Sequence, residues 1–281
     1  MAAKKTKPGK LSIADMRKMI NKRAGSDVAY NLTEDNPTEV KQWIPTGARW
    51  LDSIICRGKL AGIPVGKVSE IAGLEATGKS YMAAQIAANA QKQDIDVVYF
   101  DSESAIDPSF LERAGCDLNR LMYVQAESVE FVLETIEELL STGNKWLFIW
   151  DSLALTPSIS DVEGDFNPQS SMAVKPRILS KGMAKLTLPI ADNNATLLVL
   201  NQLKTNMAAR TPAEAMTTPY FTPGGKAIPF HSSIRIKLGA GQQIKDGDDV
   251  IGINVWAKTV KNKVAPPFRK VNFQIHFGKG I

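Results

Sequence analysis

Cysteine is nearly absent: Cys56 and Cys116 are the two in a chain of 281 residues. They lie far apart and match no metal-ligand spacing, so neither a zinc cluster nor a disulfide framework is expected, and a reduced, intracellular setting fits best. Histidine is as scarce. His231 and His276 stand in no recognisable motif, and a packed or surface position is expected for both. No apolar run approaches the roughly 20 residues that cross a bilayer, and the N-terminus lacks an apolar signal core, which points to a soluble, cytoplasmic protein. There is no internal repeat and no low-complexity tract. The net charge of +5 is compatible with a nucleic-acid partner but too small to name one.

What is present is enough apolar residue, 44% of the chain, to bury one large core. Residues 1–24 carry Lys4, Lys5, Lys7, Lys10, Arg17, Lys18, Lys22 and Arg23 against the single acid Asp15. Leu11, Ile13, Met16, Met19 and Ile20 recur there at near-helical spacing. The arm therefore reads either as a short amphipathic helix that docks on something or as a solvated basic tail. Residues 25–45 are polar and turn-rich and read as a linker. The expected division is an arm with linker over 1–43 and a core over 44–281.

From residue 44 strand-like and helix-like segments alternate, the pattern of an α/β fold with a mostly parallel sheet. Strands are expected at 67–72, 96–101, 146–151 and 195–202. Helices are expected at 79–92, from a Ser128 cap with Val129, Val132, Ile136, Leu139 and Leu140 inward, and within 172–188. Residues 203 to about 223 carry no pattern, and an unpatterned stretch of that length is usually functional or disordered. The segments "SSIRIKL", "INVWAKTVKNK" and "KVNFQIHF", with turns at Asp246-Gly247 and Ala265-Pro266-Pro267, read as antiparallel strands.

The octet Gly73-Leu74-Glu75-Ala76-Thr77-Gly78-Lys79-Ser80 follows the first strand and opens a helix, the context a phosphate-binding loop requires. Gly73 and Gly78 let the backbone curl so that N–H groups face the β-phosphate, with the helix N-terminus adding positive potential. Lys79 is placed to reach the β- and γ-phosphates and the Ser80 hydroxyl to ligate Mg2+. The strand "WLFIWD" ends in Asp151, where an acid would complete the magnesium shell. The strand "DVVYFD" leads into Glu103 at the same sheet edge, a carboxylate able to accept a proton from an attacking water or to orient it.

These stretches, with "YFDSESAIDP", "IWDSLALTP", "VEGD", "LNQLK", "TPGGKAIPFHSSIRIKL" and "KTVKNKVAPPF", resemble the ATPase core of the RecA family, including phage recombinases of the UvsX type, from about Ile44 to Ile281. The resemblance implies a P-loop α/β fold in which Glu103 activates water and Asp107 and Phe110 contact and stack on adenine. Phe110 stands where the family usually has Tyr, and the ring suffices for stacking. It further implies that Gln202 senses the γ-phosphate and couples it to DNA, held by loops at about 161–171 and 203–223. Lys175 and Arg177 lie beside the first loop. Lys204, Arg210, Tyr220 and Phe221 belong to the second, and Gly224 and Gly225 would turn the backbone close to a ligand. Lys226 replaces the family's usual Asn and fits contact with either DNA or a neighbour's nucleotide.

On residue pattern alone, Lys261 and Lys263 share one face of a strand and fit an edge strand guarded by charge. The resemblance instead has them reach the γ-phosphate of the next protomer, with Phe230 packed at that boundary and the N-terminal helix docked across it. The implied activity is a DNA-dependent ATPase that polymerises head to tail on single-stranded DNA and pairs it with a homologous duplex, using ATP and Mg2+. A ring helicase, a small-molecule P-loop kinase and a non-catalytic mediator are the rivals. The chain ends at Ile281, where cellular RecA proteins continue into a C-terminal domain, so either that separate domain is lacking or the sequence is a trimmed piece.

Overall fold

The computed structural model describes residues 11–56, 58, 61–164, 173–206, 211 and 219–281. The chain divides into two compact units, one up to Lys41 and one over Gln42–Ile281.

In the first unit, α1 (Ile13–Ala24) starts where the Ser12 side chain accepts the Asp15 N–H. It stops where Gly25, at φ 73°, donates back to the Asn21 carbonyl. Leu11, Ile13, Met16, Met19 and Ile20 are all exposed, and Ile13, Met16 and Ile20 line a shallow cavity with Tyr30 and Leu32. The segment expected to be a plain linker folds back: the Asn21 side-chain oxygen accepts the Val28 and Ala29 N–H groups, and Arg17 lies 3.6 Å from Glu34.

The second unit is built on one sheet. A short antiparallel pair, β1 (Trp43–Ile44) and β2 (Ile63–Pro64), brackets α2 (Arg49–Ile55). Then follow β3 (Val68–Gly73), α3 (Lys79–Gln91), β4 (Asp96–Asp101), α4 (Pro108–Arg113), β5 (Leu121–Gln125), α5 (Val129–Leu140), β6 (Trp146–Asp151) and α6 (Ile159–Glu163). After these come α7 (Val174–Asp192), β7 (Thr196–Gln202), β8 (Lys204–Thr205), β9 (Tyr220–Phe221) and α8 (Ala227–His231). β10 (Ile234–Asp246), β11 (Asp249–Asn262) and β12 (Lys270–His276) close the chain.

Among the described residues the sheet runs β12-β11-β10-β3-β7-β6-β4-β5, parallel from β10 through β5 and antiparallel from β10 to β12. The expected mixed sheet is what forms. Its central strands are apolar on both faces because helices cover both. Ile71, Tyr99, Ile149 and Leu198 face α2 and α3, whereas Phe100, Phe148, Trp150 and Val199 face α5, α7 and α8.

Some expectations need correction. The edge strand β5 and the helix α4 were not anticipated. Leu133 is buried on α5 while Leu139 is only partly so. α7 continues through Pro189 to Asp192. The stretch expected to lack pattern begins and ends in a ladder, with Lys204 opposite Phe221 and Thr205 opposite Tyr220.

Phe148 is fully buried, while Phe131 on α5 is 38% exposed. Phe148→Ala should destabilise the fold by about 3–5 kcal/mol in urea titration, and Phe131→Ala should stay within about 1 kcal/mol. Equal losses would contradict this placement of the core.

Candidate functional site

The central parallel strands end level with one another. Asp101 pairs with Asp151 across β4 and β6, and Gly73 pairs with Gln202 across β3 and β7. Their carboxyl ends deliver the functional side chains to one sheet edge.

The phosphate loop leaves β3 at Gly73 and enters α3 at Lys79. Gly78 sits at φ 83°, and a Cβ there would meet the Ile275 Cδ1 at 2.4 Å; at Gly73 it would meet the Thr77 Oγ1 at 2.5 Å. The left-handed backbone favours glycine at Gly78, and any side chain at Gly73 would force the Thr77 hydroxyl to shift. The Lys79 ammonium donates to the carbonyls of Leu74 at 2.7 Å and Gly73 at 3.2 Å. Burial lowers its pKa, opposed by the negative charges of Asp151, Glu103 and Glu75. The Ser80 hydroxyl donates to Asp151 Oδ2 at 2.7 Å, and the Tyr99 hydroxyl donates to the same oxygen at 2.7 Å. Burial raises the Asp151 pKa despite these two donors.

Glu103 accepts from the Gln202 amide, Nε2 to Oε1, at 3.2 Å. Burial raises its pKa first, and the charges of Asp151 and Asp101 raise it further. Ser80, Asp101, Glu103, Ala105, Ile106, Asp107, Phe110 and Asp151 line one cavity of about 260 Å3. Asp107 caps α4 by accepting from the N–H and hydroxyl of Ser109, and these bonds hold its carboxyl below the usual range. The Phe110 ring packs edge-on to Tyr81 at 5.6 Å between centroids. The fold thus gathers Lys79, Ser80, Glu103, Asp107, Phe110, Asp151 and Gln202 around one edge.

Other expected residues stand differently. Lys175 does not project toward a ligand: its ammonium donates to the carbonyls of Leu153 at 2.6 Å, Ala154 at 3.2 Å and Thr156 at 2.6 Å. Burial drives its pKa down to about 8. Gly224 and Gly225 turn beside α7, and Gly225 also lines a cavity of about 440 Å3 with Glu70, Tyr220, Phe221 and Arg235. At φ 92° and 71°, their Cβ atoms would strike Leu153 at 2.7 Å and Pro176 at 3.0 Å respectively. Arg177, Lys204, Lys226 and Phe221 are exposed, and Tyr220 is half-buried beneath the Lys237 ammonium, 5.3 Å from its centroid. Arg210 lies outside the described residues, as do residues 165–171 of the first loop.

Lys261 is likewise occupied, donating to the carbonyls of Pro229 at 2.6 Å and Phe230 at 2.9 Å. β11 ends at Asn262, so Lys263 lies just beyond the strand rather than on it. Phe230 is 67% exposed.

One network escaped the sequence reading. Glu70 accepts from Arg235 and from the Asn201 amide, Asn201 also donates to the Pro223 carbonyl, and Arg235 reaches the Thr222 hydroxyl. It ties β3, β7 and β10 to the stem of the second loop. A carboxylate inside "KVSEIA", a strand apolar on both faces, was the available signal, because a fully buried acid needs a partner.

A family model described as the RecA N-terminal domain matches residues 11–281. Curated relatives carry the name Protein RecA. That of Fusobacterium nucleatum is 35% identical over 270 residues, covering 96% of this chain and 69% of the relative. That of Chlorobium limicola is 35% identical, covering 93% and 72%, and that of Thermus aquaticus 34%, covering 96% and 77%.

If Glu103 acts as a base, its raised pKa sets a pH dependence. A carboxyl held above its ordinary value loses its charge early as pH falls. The acid limb of kcat/KM for nucleoside triphosphate hydrolysis should therefore lie above the ordinary glutamate value of about 4.3. A limb at or below that value would contradict the partly desolvated, acid-flanked environment.

Proposed function

The chain belongs to the RecA family and is a DNA-dependent ATPase and recombinase, and we propose how its residues divide that work. The backbone of residues 73–80 cradles the phosphates of ATP, with Lys79 leaving the loop carbonyls for the β- and γ-oxygens. Asp107 and Phe110 form the adenine side of the same cavity. Ser80 and Asp151 are hard oxygen donors already 2.7 Å apart, a set that suits Mg2+, which keeps water and phosphate as its remaining ligands. Bound there, the cation would neutralise charge on the phosphates. Glu103 takes the proton of the attacking water.

The observation that carries the reading is the Gln202–Glu103 hydrogen bond at the last residue of β7. A γ-phosphate oxygen competes with Glu103 for the Gln202 amide. Capture of that amide frees the base and moves the strand end from which β8 and the second loop depart. Lys204, Arg210, Tyr220, Phe221 and Arg177 then meet single-stranded DNA by phosphate contact and stacking. Lys175 serves the first loop by tying the start of α7 to the turn after β6. Lys226 remains open to contact with DNA or with a neighbour's nucleotide.

Between protomers, Lys261 exchanges two carbonyls for a neighbour's γ-phosphate, with Lys263 beside it and Phe230 at the boundary. Repetition of that contact, with α1 docking across it, makes an open head-to-tail filament in which a homologous duplex is paired. No helix among the described residues is long and apolar enough to cross a membrane, and we place the protein in the cytoplasm.

ATP hydrolysis should rise several-fold on adding single-stranded DNA. Glu103→Gln should lower it by at least about 10²-fold while ATP binding persists. DNA-independent turnover, or an active Glu103→Gln variant, would overturn the reading. Electron microscopy with DNA and a non-hydrolysable ATP analogue should show open filaments, not closed rings.

A further inference from the structure

We infer that Asp101 is the positioning residue of the nucleotide site, setting the water-activating base and the adenine-side wall from one buried carboxylate. Beyond β4 the Ser102 N–H still meets the Asp151 carbonyl, but the chain then turns out of the sheet and the following N–H groups lose their strand partners. Asp101 takes them in succession. Its Oδ1 accepts from Glu103 N–H at 2.8 Å and Ser104 N–H at 3.1 Å, and its Oδ2 from Ala105 N–H at 3.0 Å and Ile106 N–H at 3.1 Å. The Tyr123 hydroxyl, from the edge strand β5, adds a further bond to Oδ2 at 3.1 Å. Asp101 itself is 3% exposed.

An ionised carboxylate is acceptor-only, with lone pairs for about four donors, so only the charged form satisfies this ring of N–H groups. The ring also holds Ser104 at φ 52°, a left-handed conformation that a serine seldom adopts unsupported. The segment so fixed has two functions at its two ends. Glu103 stands at the start, against Gln202; Ala105, Ile106 and Asp107 line the cavity leading to Phe110. Ile106 also lines a second cavity with Leu111, Leu121 and Tyr123, so packing at the sheet edge bears on the same wall. Loss of the carboxylate charge must disturb both ends together, which substitution of Glu103 cannot do.

The inference rests on the reading of Glu103 as the base, and the test separates the two. Asp101→Asn keeps the shape but puts an amide donor among the N–H groups. In the full-length chain, with fluorescent ADP for affinity and DNA-stimulated turnover for kcat, Asp101→Asn should lower kcat by ~10²-fold, the scale of a misplaced catalytic group. It should also weaken ADP binding about tenfold. Glu103→Gln should lower kcat with ADP affinity unchanged. Amide exchange at 103–106 should accelerate in Asp101→Asn while that of β4 and β6 stays slow.

Tyr123→Phe removes only the peripheral hydroxyl and should shift kcat and ADP affinity together, each by a few-fold. If Asp101→Asn does not fold, Tyr123→Phe decides: a joint shift supports the inference and wild-type values overturn it. A folded Asp101→Asn with wild-type ADP affinity also overturns it. A fully active Glu103→Gln would instead remove the base assignment and leave the effect of Asp101 on affinity to be read alone.

Discussion

The site depends on one constraint, the register of the parallel strands. Gly73 lies opposite Gln202, and Asp101 opposite Asp151. A slip of one residue in any of these ladders would turn each functional side chain to the other face and bury a charge among apolar helices. The register is held by rows that are apolar on both faces, closed by α3 on one side and by α5 and α7 on the other. The large cores and the chemistry are therefore parts of one packing solution.

In the resting chain the charged and polar groups of the site have protein partners. Lys79 bonds the loop carbonyls, Ser80 bonds Asp151 and Gln202 bonds Glu103. Lys261, outside that edge, bonds the end of α8. A substrate that replaces these partners exchanges one hydrogen bond for another, at a net difference of about 1 kcal/mol each. Such groups are ready to move. Asp101 differs, because its donors are four backbone amides and the Tyr123 hydroxyl, none of which a ligand replaces, and that permanence suits a support. The buried Glu70–Arg235 pair with Asn201 is equally fixed and joins the sheet to the stem of the second loop.

The local parts of this site were legible in the sequence. A glycine loop between strand and helix, and acids closing apolar strands, place Lys79, Ser80, Glu103 and Asp151 because strand and helix geometry transmits short spacing into space. The long-range parts were not. The carbonyls that hold Lys175 and Lys261 were not foreseen, because composition gives a charge without the groups that surround it in the fold. Gly224 and Gly225 were correctly seen as turns, but their neighbour is α7, which the sequence separates from them by about fifty residues. β5 was missed since none of its residues is buried at the sheet edge, where the apolar signal weakens. Glu70 and Arg235 each sat inside a strand pattern and took on meaning only once β3 and β10 were paired.

On the proposed function, Gln202 transmits the state of the γ-phosphate to the DNA-binding loop. The most direct measurement is the affinity for fluorescent single-stranded DNA, with ADP and with a non-hydrolysable ATP analogue, in the native chain and in Gln202→Ala. The account predicts tighter binding with the analogue in the native chain, and similar weak affinities with both nucleotides in Gln202→Ala. Retention of the native nucleotide dependence by Gln202→Ala would contradict it.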